Sequence, residues 1–297
     1  MDRYAQTYAQ AAGMTLIPRQ PFMVELSNRY CKYVYQRDGI SLFYQFETDD
    51  ETSQISTSVP DGCIDIIFHH RADGSKAGAD YYGTDLLPHA MKCHPGHIHF
   101  GVRFQPGVTP FCAQIGMGDL VDQIVPFEQA TAKPLGQFLP EAIAASETFE
   151  SKINLFLSCM PHGEAGELEP EGTPARLQRY LTQSIIRSHG TLPVQELAEQ
   201  VGYSVSYLNK LLSRSMAISV KKFSQIVQYQ SLLNCLYQDG RLKTESPNWG
   251  VLAAQFGYYD QSHLINSFKR FSNRTPNAFL RELKGIDFNN RLHIIHV

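Results

Sequence analysis

The heptapeptide LAEQVGY at residues 197–203 returns almost unchanged as LAAQFGY at residues 252–258. In each copy, apolar residues at helical spacing lead to a glycine, Gly202 or Gly257, in the position where a left-handed residue ends a helix. Each copy therefore predicts a short amphipathic helix that stops at a tight turn.

A second helix is expected after each turn. Ser204 and Asp260 stand where a helix N-cap side chain accepts a backbone hydrogen bond, and a helical pattern begins directly after each of them. Two helices joined by a tight glycine turn form a helix-turn-helix unit. The sequence thus predicts two such units, spanning residues 193–215 and 249–272.

The outer face of each second helix carries side chains that suit DNA. Leucines and phenylalanines at helical spacing should face the core, which leaves short polar groups near the helix start and basic groups farther along. The residues predicted to read base edges are Ser206, Asn209, Lys210, Gln261, Ser262, Ile265 and Asn266. The residues predicted to contact phosphates are Arg214, Lys221, Lys222, Lys269, Arg270 and Arg274. A solvated surface would explain one such helix, but two helices behind the same turn favour DNA recognition.

The segment SVKKFSQIVQYQSLLNCLYQ at residues 219–238 contains no glycine or proline and predicts one long helix between the two units. At this length the helix would span about 30 Å. Successive major grooves on one side of B-DNA lie about 34 Å apart. A rigid spacer of this length could hold two recognition helices in neighbouring grooves.

Basic side chains are concentrated towards the C-terminus. Residues 1–173 hold 11 Lys and Arg against 22 Asp and Glu, whereas residues 174–297 hold 15 against 7. A basic half within a chain of net charge −3 is typical of a module that binds a polyanion.

The composition is that of a globular protein, with 43% hydrophobic and 19% charged residues. No apolar run approaches the roughly 20 residues that a bilayer requires, so we expect a cytoplasmic protein with no membrane partner. The six cysteines lack C-x-x-C spacing, which predicts reduced thiols instead of a disulfide framework.

The stretch MPHGEAGELEPEGTP at residues 160–174 has the composition of an exposed linker and divides the chain. Short β-branched and aromatic runs precede it, and helical patterns follow it. The predicted fold class is α+β, with a β-rich N-terminal domain, for which a cupin-like barrel is one architecture, and an all-α tandem helix-turn-helix domain. The predicted parts are a regulatory and dimerisation domain at 1–160, a linker at 161–174, a DNA-binding domain at 175–285 and a tail at 286–297. Residues 139–160 predict one amphipathic helix that packs on the sheet or pairs with a second subunit.

The segment from Arg176 to Leu283 resembles the DNA-binding domain of AraC/XylS-type transcription regulators. GYSVSYLNKLL at residues 202–212 is similar to the first helix-turn-helix unit of that family, and GYYDQSHLINSFKRFSNRTPNAFL at residues 257–280 is similar to the second. The resemblance implies a regulator that binds promoter or operator DNA, works with RNA polymerase and forms a homodimer.

The N-terminal half resembles a recurrent sensor-type domain that precedes this DNA-binding tail. The resemblance rests on VPDGCIDIIF at residues 59–68 and GVRFQPG at residues 101–107. It implies a domain that binds a small-molecule effector, dimerises, or does both. In the linker helix, this chain has Gln228 where the same subgroup commonly has an arginine.

Four N-terminal residues are candidates for effector binding: Asp65, His97, His99 and Arg103. In a strand, His97 and His99 would point to one face, as paired ligands do in metal-binding β-barrels. Arg103 follows where a carboxylate ligand would be needed, so the pattern favours ordinary histidines over a metal site. Arg103 could pair with Asp65 or with an anionic ligand, and Asp61 with the glycine after it predicts a turn.

Catalytic motifs are missing from the sequence, including a G-x-S-x-G elbow, a phosphate-binding glycine loop and an H-E-x-x-H pair. We therefore expect no enzyme, no catalytic residue and no cofactor. The alternatives are a metal-responsive regulator, a thiol-responsive regulator acting through Cys63, Cys93 or Cys112, and a catalytic N-terminal domain fused to a DNA-targeting tail.

Overall fold

The computed structural model describes residues 17–27, 29–49, 55–111, 115–160, 173–238, 247–286 and 288–295. The strands are β1 (Tyr30–Arg37), β2 (Ile40–Glu47), β3 (Ile55–Ser58), β4 (Asp65–His70), β5 (Gly78–Tyr82), β6 (His89–Lys92), β7 (Ile98–Phe104), β8 (Ile124–Pro126) and β9 (Leu292–Ile295). The helices are α1 (Met117–Leu120), α2 (Phe127–Ala130), α3 (Lys133–Ala145), α4 (Phe149–Cys159), α5 (Pro174–Arg187), α6 (Val194–Val201), α7 (Val205–Met216), α8 (Val220–Gln238), α9 (Trp249–Gln255), α10 (Gln261–Ser272), α11 (Pro276–Lys284) and α12 (Phe288–Arg291). A 3-10 turn at Met23–Leu26 precedes β1. Strands before the linker and helices after it confirm the predicted α+β class.

A seven-stranded sheet in the order β8-β5-β4-β7-β2-β1-β9 organises the N-terminal domain, and β3 pairs separately with β6. The central pairs are antiparallel, with Asp65 opposite Arg103 and His69 opposite His99. Because alternate residues share a face, all four of these side chains point to the same side of the sheet.

The opposite face of the sheet packs against α2, α3 and α4. Phe43, Phe68 and Phe100 from the strands meet Ile143 and Phe156 from the helices in one buried cluster. The helices therefore cover this face of the sheet completely enough to form a dry core.

The prediction of one helix over residues 139–160 is wrong, because α3 ends at Ala145 and α4 starts at Phe149. Thr148 caps α4, and its hydroxyl and that of Ser151 form a reciprocal capping box. The apolar side of both helices packs on the sheet, which is one of the two predicted alternatives; the other was pairing with a second subunit. That side is consequently not available to a second subunit.

The second hydrophobic cluster crosses from the sheet into the helical domain. It joins Tyr44 and Phe46 of β2 to residues of α5 through α11, and Phe22 lies edge-on to Phe279 with ring centroids 5.2 Å apart. The two domains therefore share one continuous apolar core.

The predicted tail at 286–297 is not a free extension of the helical domain, because part of it joins the N-terminal sheet. Residues 292–295 form β9, which pairs in parallel with Tyr30–Tyr33 at the edge of the N-terminal sheet. Arg291 also donates to the backbone carbonyls of Glu25 and Ser27. The C-terminal end of the chain thus completes the sheet of the other domain.

The predicted linker at 161–174 lies mostly outside the described residues, since the description resumes at Thr173. Among the helices of the described part of the chain, none is both long enough and apolar enough to cross a membrane.

Candidate nucleic-acid interface and N-terminal candidate site

The two predicted turns have the backbone that their glycines permit. Gly202 and Gly257 have φ angles of 71° and 69°, in the left-handed region where a side chain would be strained. Ser204 and Asp260 then cap the following helices, because each accepts a hydrogen bond from the backbone N–H three residues later. Each turn therefore fixes the direction in which a second helix, α7 or α10, leaves.

Helix α7 buries its leucine side and exposes most of its predicted base-reading residues. Ser206, Lys210 and Arg214 are exposed, whereas Leu208 is fully buried. Asn209 differs from the expectation, because its side-chain oxygen accepts the backbone N–H of Val220 at 3.0 Å. This amide holds the start of α8 and is half-buried, so it is less available to a base than its neighbours.

Helix α10 presents a longer polar face. Its exposed predicted residues are Gln261, Ser262, Asn266, Lys269 and Arg270. Leu264, Phe268 and Phe271 are buried on the opposite side, and Ile265 lies half-buried against the core. The arrangement places hydrogen-bonding groups in the first two turns and cations in the last turn, as the sequence predicted.

Two of the residues predicted to contact phosphates make contacts within the protein instead. Lys222 donates its Nζ to the carbonyl of Leu86 in the N-terminal domain at 2.8 Å, and it lies 4.9 Å from the centroid of the Phe271 ring. Burial lowers the pKa of its amine. Arg274 forms an ion pair with Glu282 and stacks over the Phe22 ring. Lys221, by contrast, is exposed.

Three exposed tyrosines near α7 and α10 were not among the predicted site residues. Tyr203 and Tyr207 stack with ring centroids 4.9 Å apart at the start of α7, and Tyr259 before α10 is 93% exposed. Tyrosine hydroxyls are among the side-chain groups that hydrogen-bond to DNA phosphates. The repeat does not reveal which tyrosines are exposed, because Tyr203 ends its first copy and is exposed, whereas Tyr258 ends its second copy and is buried.

The long helix α8 contains 19 residues and reaches about 28 Å. Gln228, in the position where an arginine was expected, donates its side-chain amide to the carbonyl of Phe256 at 2.6 Å. This residue therefore ties the spacer helix to the turn of the second unit instead of facing outward.

In the N-terminal domain, Arg103 has two buried carboxylate partners. Its Nε lies 2.7 Å from Oδ1 of Asp65, and its Nη1 lies 3.0 Å from Oδ2 of Asp61. Tyr44 donates its hydroxyl to Asp65 at 2.9 Å. Burial lowers the pKa of the guanidinium, but the two carboxylates outweigh burial and raise the pKa well above its usual value. Of the two predicted partners for Arg103, the structure thus shows Asp65.

The cavity beside Arg103 is small. Its volume is about 60 Å³, and it is lined by Tyr30, Lys32 and Leu42 together with Phe288 and Leu292 from the C-terminal segment. Sites for drug-sized ligands usually measure about 300–1,000 Å³. In this arrangement the cavity has room for only a few water molecules, so a drug-sized effector at this position would require the cavity to widen.

A second polar cluster lies on the same face of the sheet, around the histidines that the sequence singled out. His97 and His99 are both buried, with ring centroids 6.4 Å apart. A nitrogen of each ring is engaged, since His97 Nδ1 lies 2.7 Å from the Pro95 carbonyl and His99 Nε2 accepts the backbone N–H of His94. Burial lowers the pKa of His99 to about 3, so this ring is neutral.

Three residues that the sequence did not single out as a group meet beside these two histidines. His69 on β4 and His94 in the turn before β7 stack with centroids 4.0 Å apart, and both approach Asp80 on β5. Burial alone would raise the pKa of Asp80, but hydrogen bonds from the two histidines lower it to about 2. Only strand pairing brings these three positions together, so no local sequence motif could have revealed them.

The structure argues against thiol sensing through Cys63 and Cys93. Burial raises the pKa of Cys63 well above its usual value and raises that of Cys93 to about 12. Because the thiolate is the reactive form, the raised pKa values keep both thiols protonated near neutral pH, which disfavours a redox response at either of them. Cys112, the third predicted candidate, lies outside the described residues.

Two comparisons place the chain among known proteins only distantly. The chain is similar to ToxT from Vibrio cholerae O395, with 12% sequence identity and a TM-score of 0.39 over 82% of this chain and 97% of ToxT. The structure of ToxT from strain SCE256 with a bound unsaturated fatty acid gives 12% identity and a TM-score of 0.40, over 82% of this chain and 95% of the other. Curated proteins give no significant match.

A family match is confined to the N-terminal domain. Residues 37–126 match the family described as a domain of unknown function, DUF6597. The matched stretch runs from the end of β1 to the end of β8 and contains both polar clusters. This match confirms that the N-terminal half is similar to a recurrent domain, and the description of that family assigns it no activity.

Proposed function

We propose that the chain is a sequence-specific DNA-binding transcription regulator. In this proposal, α7 and α10 enter neighbouring major grooves, and the N-terminal domain responds to a small-molecule effector. The proposal includes a cytoplasmic homodimer that acts on promoter DNA together with RNA polymerase, as the resemblance to AraC/XylS-type regulators implies.

The observation that carries the proposal is the pair of exposed polar faces on α7 and α10. Each face lies behind the same glycine turn and capped start, and the half of the chain that holds them is basic. Short polar groups near a helix start can hydrogen-bond to base edges, and cations farther along can reach phosphates. A merely solvated surface does not require this order to occur twice.

The spacing of the helices supports simultaneous contact. Helix α8 joins the two units, and its apolar residues are buried on several sides by both of them. Its length of about 28 Å is close to the 34 Å between successive grooves. Because α8 is buried rather than free, it can hold the two recognition helices at a fixed separation.

Random-library DNA selection with the full-length protein tests the proposal, followed by affinity measurements on the recovered site at several salt concentrations. We expect a preferred site with two unlike half-sites, since the exposed residues of α7 and α10 differ. Absence of any preferred sequence, together with binding that depends only on salt, would contradict the proposed function.

Matched variants separate the reading of bases from the holding of phosphates. Asn266→Ala should cost about 1–3 kcal/mol on the preferred site and relax the choice at one base position. Lys269→Ala should weaken binding to all sequences and reduce the salt slope by about 1. Arg281→Ala removes an exposed cation from α11 instead of a recognition helix and serves as the control. Equal effects of Lys269→Ala and Arg281→Ala would contradict the assignment of α10.

A further inference from the structure

We propose that His69, Asp80 and His94 form a binding site for one divalent transition-metal ion of the zinc class. The three residues come from three separate parts of the N-terminal domain, namely β4, β5 and the turn before β7. The proposal is independent of DNA binding and concerns a site that the sequence patterns did not identify.

The ligand atoms are already close to a coordinating arrangement. Asp80 Oδ2 lies 3.5 Å from His69 Nε2 and 4.0 Å from His94 Nε2, and the potential ligand atoms all lie within 4.8 Å of one another. In a tetrahedral zinc site with bonds of about 2.0–2.1 Å, neighbouring ligand atoms are about 3.3 Å apart. Small side-chain rotations would therefore complete the site without moving the strands.

The chemistry of the three ligands suits a transition metal. Two imidazoles and one carboxylate are the ligand set of open metal sites, in which solvent or a small molecule takes the remaining positions. The side chains of His69 and Asp80 are mostly buried, whereas that of His94 is 48% exposed. One side of the site thus faces solvent, which provides an entry path for the ion.

The backbone beside His69 leaves space for its ring. Gly78 lies opposite His69 in the strand pair, and a Cβ at position 78 would approach His69 Cε1 to 2.7 Å and Nε2 to 2.9 Å. A larger residue there would push the imidazole away from Asp80. The glycine at position 78 therefore allows the His69 ring to lie beside Asp80.

The surroundings of the three residues contain buried nitrogens that lack a partner. Among the described residues, His69 Nδ1 and His99 Nδ1 are buried and have no hydrogen bond within the protein. His99 is 2% exposed, and its ring centroid lies 6.3 Å from that of His94. Buried polar atoms are almost always paired, so water molecules held beside a bound ion would supply partners that these nitrogens lack.

Two more histidines stand within reach as a source of a fourth ligand. The centroid of His97 lies 5.4 Å from that of His94 and 6.0 Å from that of His69. Each of the rings of His97 and His99 already contacts a backbone group, which orients it beside the site. The predicted pair, His97 and His99, thus borders the proposed site and does not form its centre.

The test uses the full-length chain without a histidine tag, freed of metal by a chelator. Calorimetric titration with Zn²⁺ should show one ion per chain, and Co²⁺ should give the visible absorption of a site with nitrogen and oxygen ligands. The bound ion should raise the melting temperature, because it binds the folded chain and not the unfolded one. These measurements need no variant, and the lack of stoichiometric binding would overturn the proposal.

Variants then assign the ligands. His69→Gln, Asp80→Asn and His94→Gln should each weaken Zn²⁺ binding at least tenfold and change or abolish the Co²⁺ spectrum. His89→Gln is the matched control, since His89 also pairs with an aspartate, Asp85, but lies outside the cluster. Circular dichroism of each variant shows whether it is folded, and Asp80→Asn keeps the shape of the side chain. Unchanged binding in folded Asp80→Asn and His69→Gln, or equal loss in His89→Gln, would overturn the assignment.

Discussion

Arg103 is a charged residue held in the core of the N-terminal domain by several contacts. It is 6% exposed, its guanidinium is shared between Asp61 and both oxygens of Asp65, and Tyr44 donates to Oδ2 of the same Asp65 carboxylate. A buried ion pair gains little over an apolar pair of the same shape, but removing one partner leaves an uncompensated charge. The cluster therefore affects stability most strongly when one of its members is removed.

Arg103→Met should destabilise the protein by about 3–5 kcal/mol, because it leaves two carboxylates in the core without a cation. Chemical denaturation followed by circular dichroism measures the loss. Arg37→Met is the control, since Arg37 is exposed at the end of β1, and it should change the unfolding free energy by less than about 0.5 kcal/mol. A small effect of Arg103→Met would mean that water reaches the two carboxylates.

Lys152 on α4 is a buried amine that contacts only uncharged groups among the described residues. Its Nζ lies 3.0 Å from Nε2 of His70 and 3.1 Å from Oε1 of Gln45, and the side chain is 2% exposed. Burial lowers its pKa from 10.5 to about 8. The amine thus loses its proton in the folded state at a lower pH than in the unfolded chain.

This difference in pKa predicts how stability depends on pH. Between pH 8 and pH 10.5 the unfolded chain binds a proton at Lys152 that the folded chain has released, so the contribution of Lys152 to stability rises with pH in this window. Below pH 8 both states bind the proton, and Lys152 no longer changes the pH dependence of stability. Lys152→Met should remove this contribution and make stability rise less with pH than in the unsubstituted protein, whereas Lys133→Met, at an exposed position, should leave the contribution intact. Melting temperatures of the three proteins at pH 7.5 and pH 9.5 provide the measurement, and parallel curves for all three would contradict the prediction.

At the scale of elements, the sequence predicts those features that local chemistry determines. Gly202 and Gly257 end their helices in the left-handed region, and Ser204 and Asp260 cap the next ones, as expected from the repeat. These contacts span only a few residues, so the pattern of residue types is sufficient to reveal them.

Other elements depend on contacts between distant parts of the chain and were not predicted. Strand β9 is too short to show a pattern, and it forms only because β1 offers a free edge. The metal-ligand candidates His69, Asp80 and His94 meet through the register of β4 and β5, which sequence periodicity does not give. The break between α3 and α4 was missed because the apolar spacing continues through it, although Thr148 is a good N-cap.

Strand β9 provides a test of how much the C-terminal segment contributes. Leu292 packs against the shared core, whereas Ile294 in the same strand is 53% exposed. Leu292→Ala should cost about 1–2 kcal/mol, because it removes partly buried apolar surface. Ile294→Ala should cost less than about 0.5 kcal/mol. Denaturant unfolding of both variants measures the difference, and equal costs would show that β9 contributes through backbone pairing alone.

At the scale of the whole molecule, the two domains are held together by contacts on several elements. Lys222 reaches the carbonyl of Leu86, β9 completes the N-terminal sheet, and α1 packs against α7. The exposed faces of α7 and α10 stay open to solvent in this arrangement. A change in the N-terminal domain can therefore reach the proposed DNA-binding face only by shifting or loosening this interface.

A buried polar connection between the domains passes through Gln230 in the middle of α8. Its amide donates to the Pro60 carbonyl at 2.9 Å, and its oxygen accepts the backbone N–H of Arg19 at 2.8 Å. The side chain is fully buried, and so is its hydrogen bond to Pro60, where losing the partner would be costly. Pro60 lies next to Asp61, which joins this contact to the Arg103 cluster.

Gln230→Ala should remove the partner of the buried Pro60 carbonyl and weaken the docked arrangement by about 1–3 kcal/mol. We expect faster amide exchange in residues 59–63 and in β3, with little change in α9 and α10, because the loss falls on the interface and spares the helix-turn-helix units. Gln228→Ala, two residues earlier on α8, is the matched control: it releases the carbonyl of Phe256 within the helical domain and should instead raise exchange around residues 254–258. If the proposed regulator works through this interface, Gln230→Ala should also change DNA affinity without touching DNA, since coupling between two sites is reciprocal. Identical exchange patterns for the two variants would contradict the assignment of Gln230 to the contact between domains and of Gln228 to a contact within the helical domain.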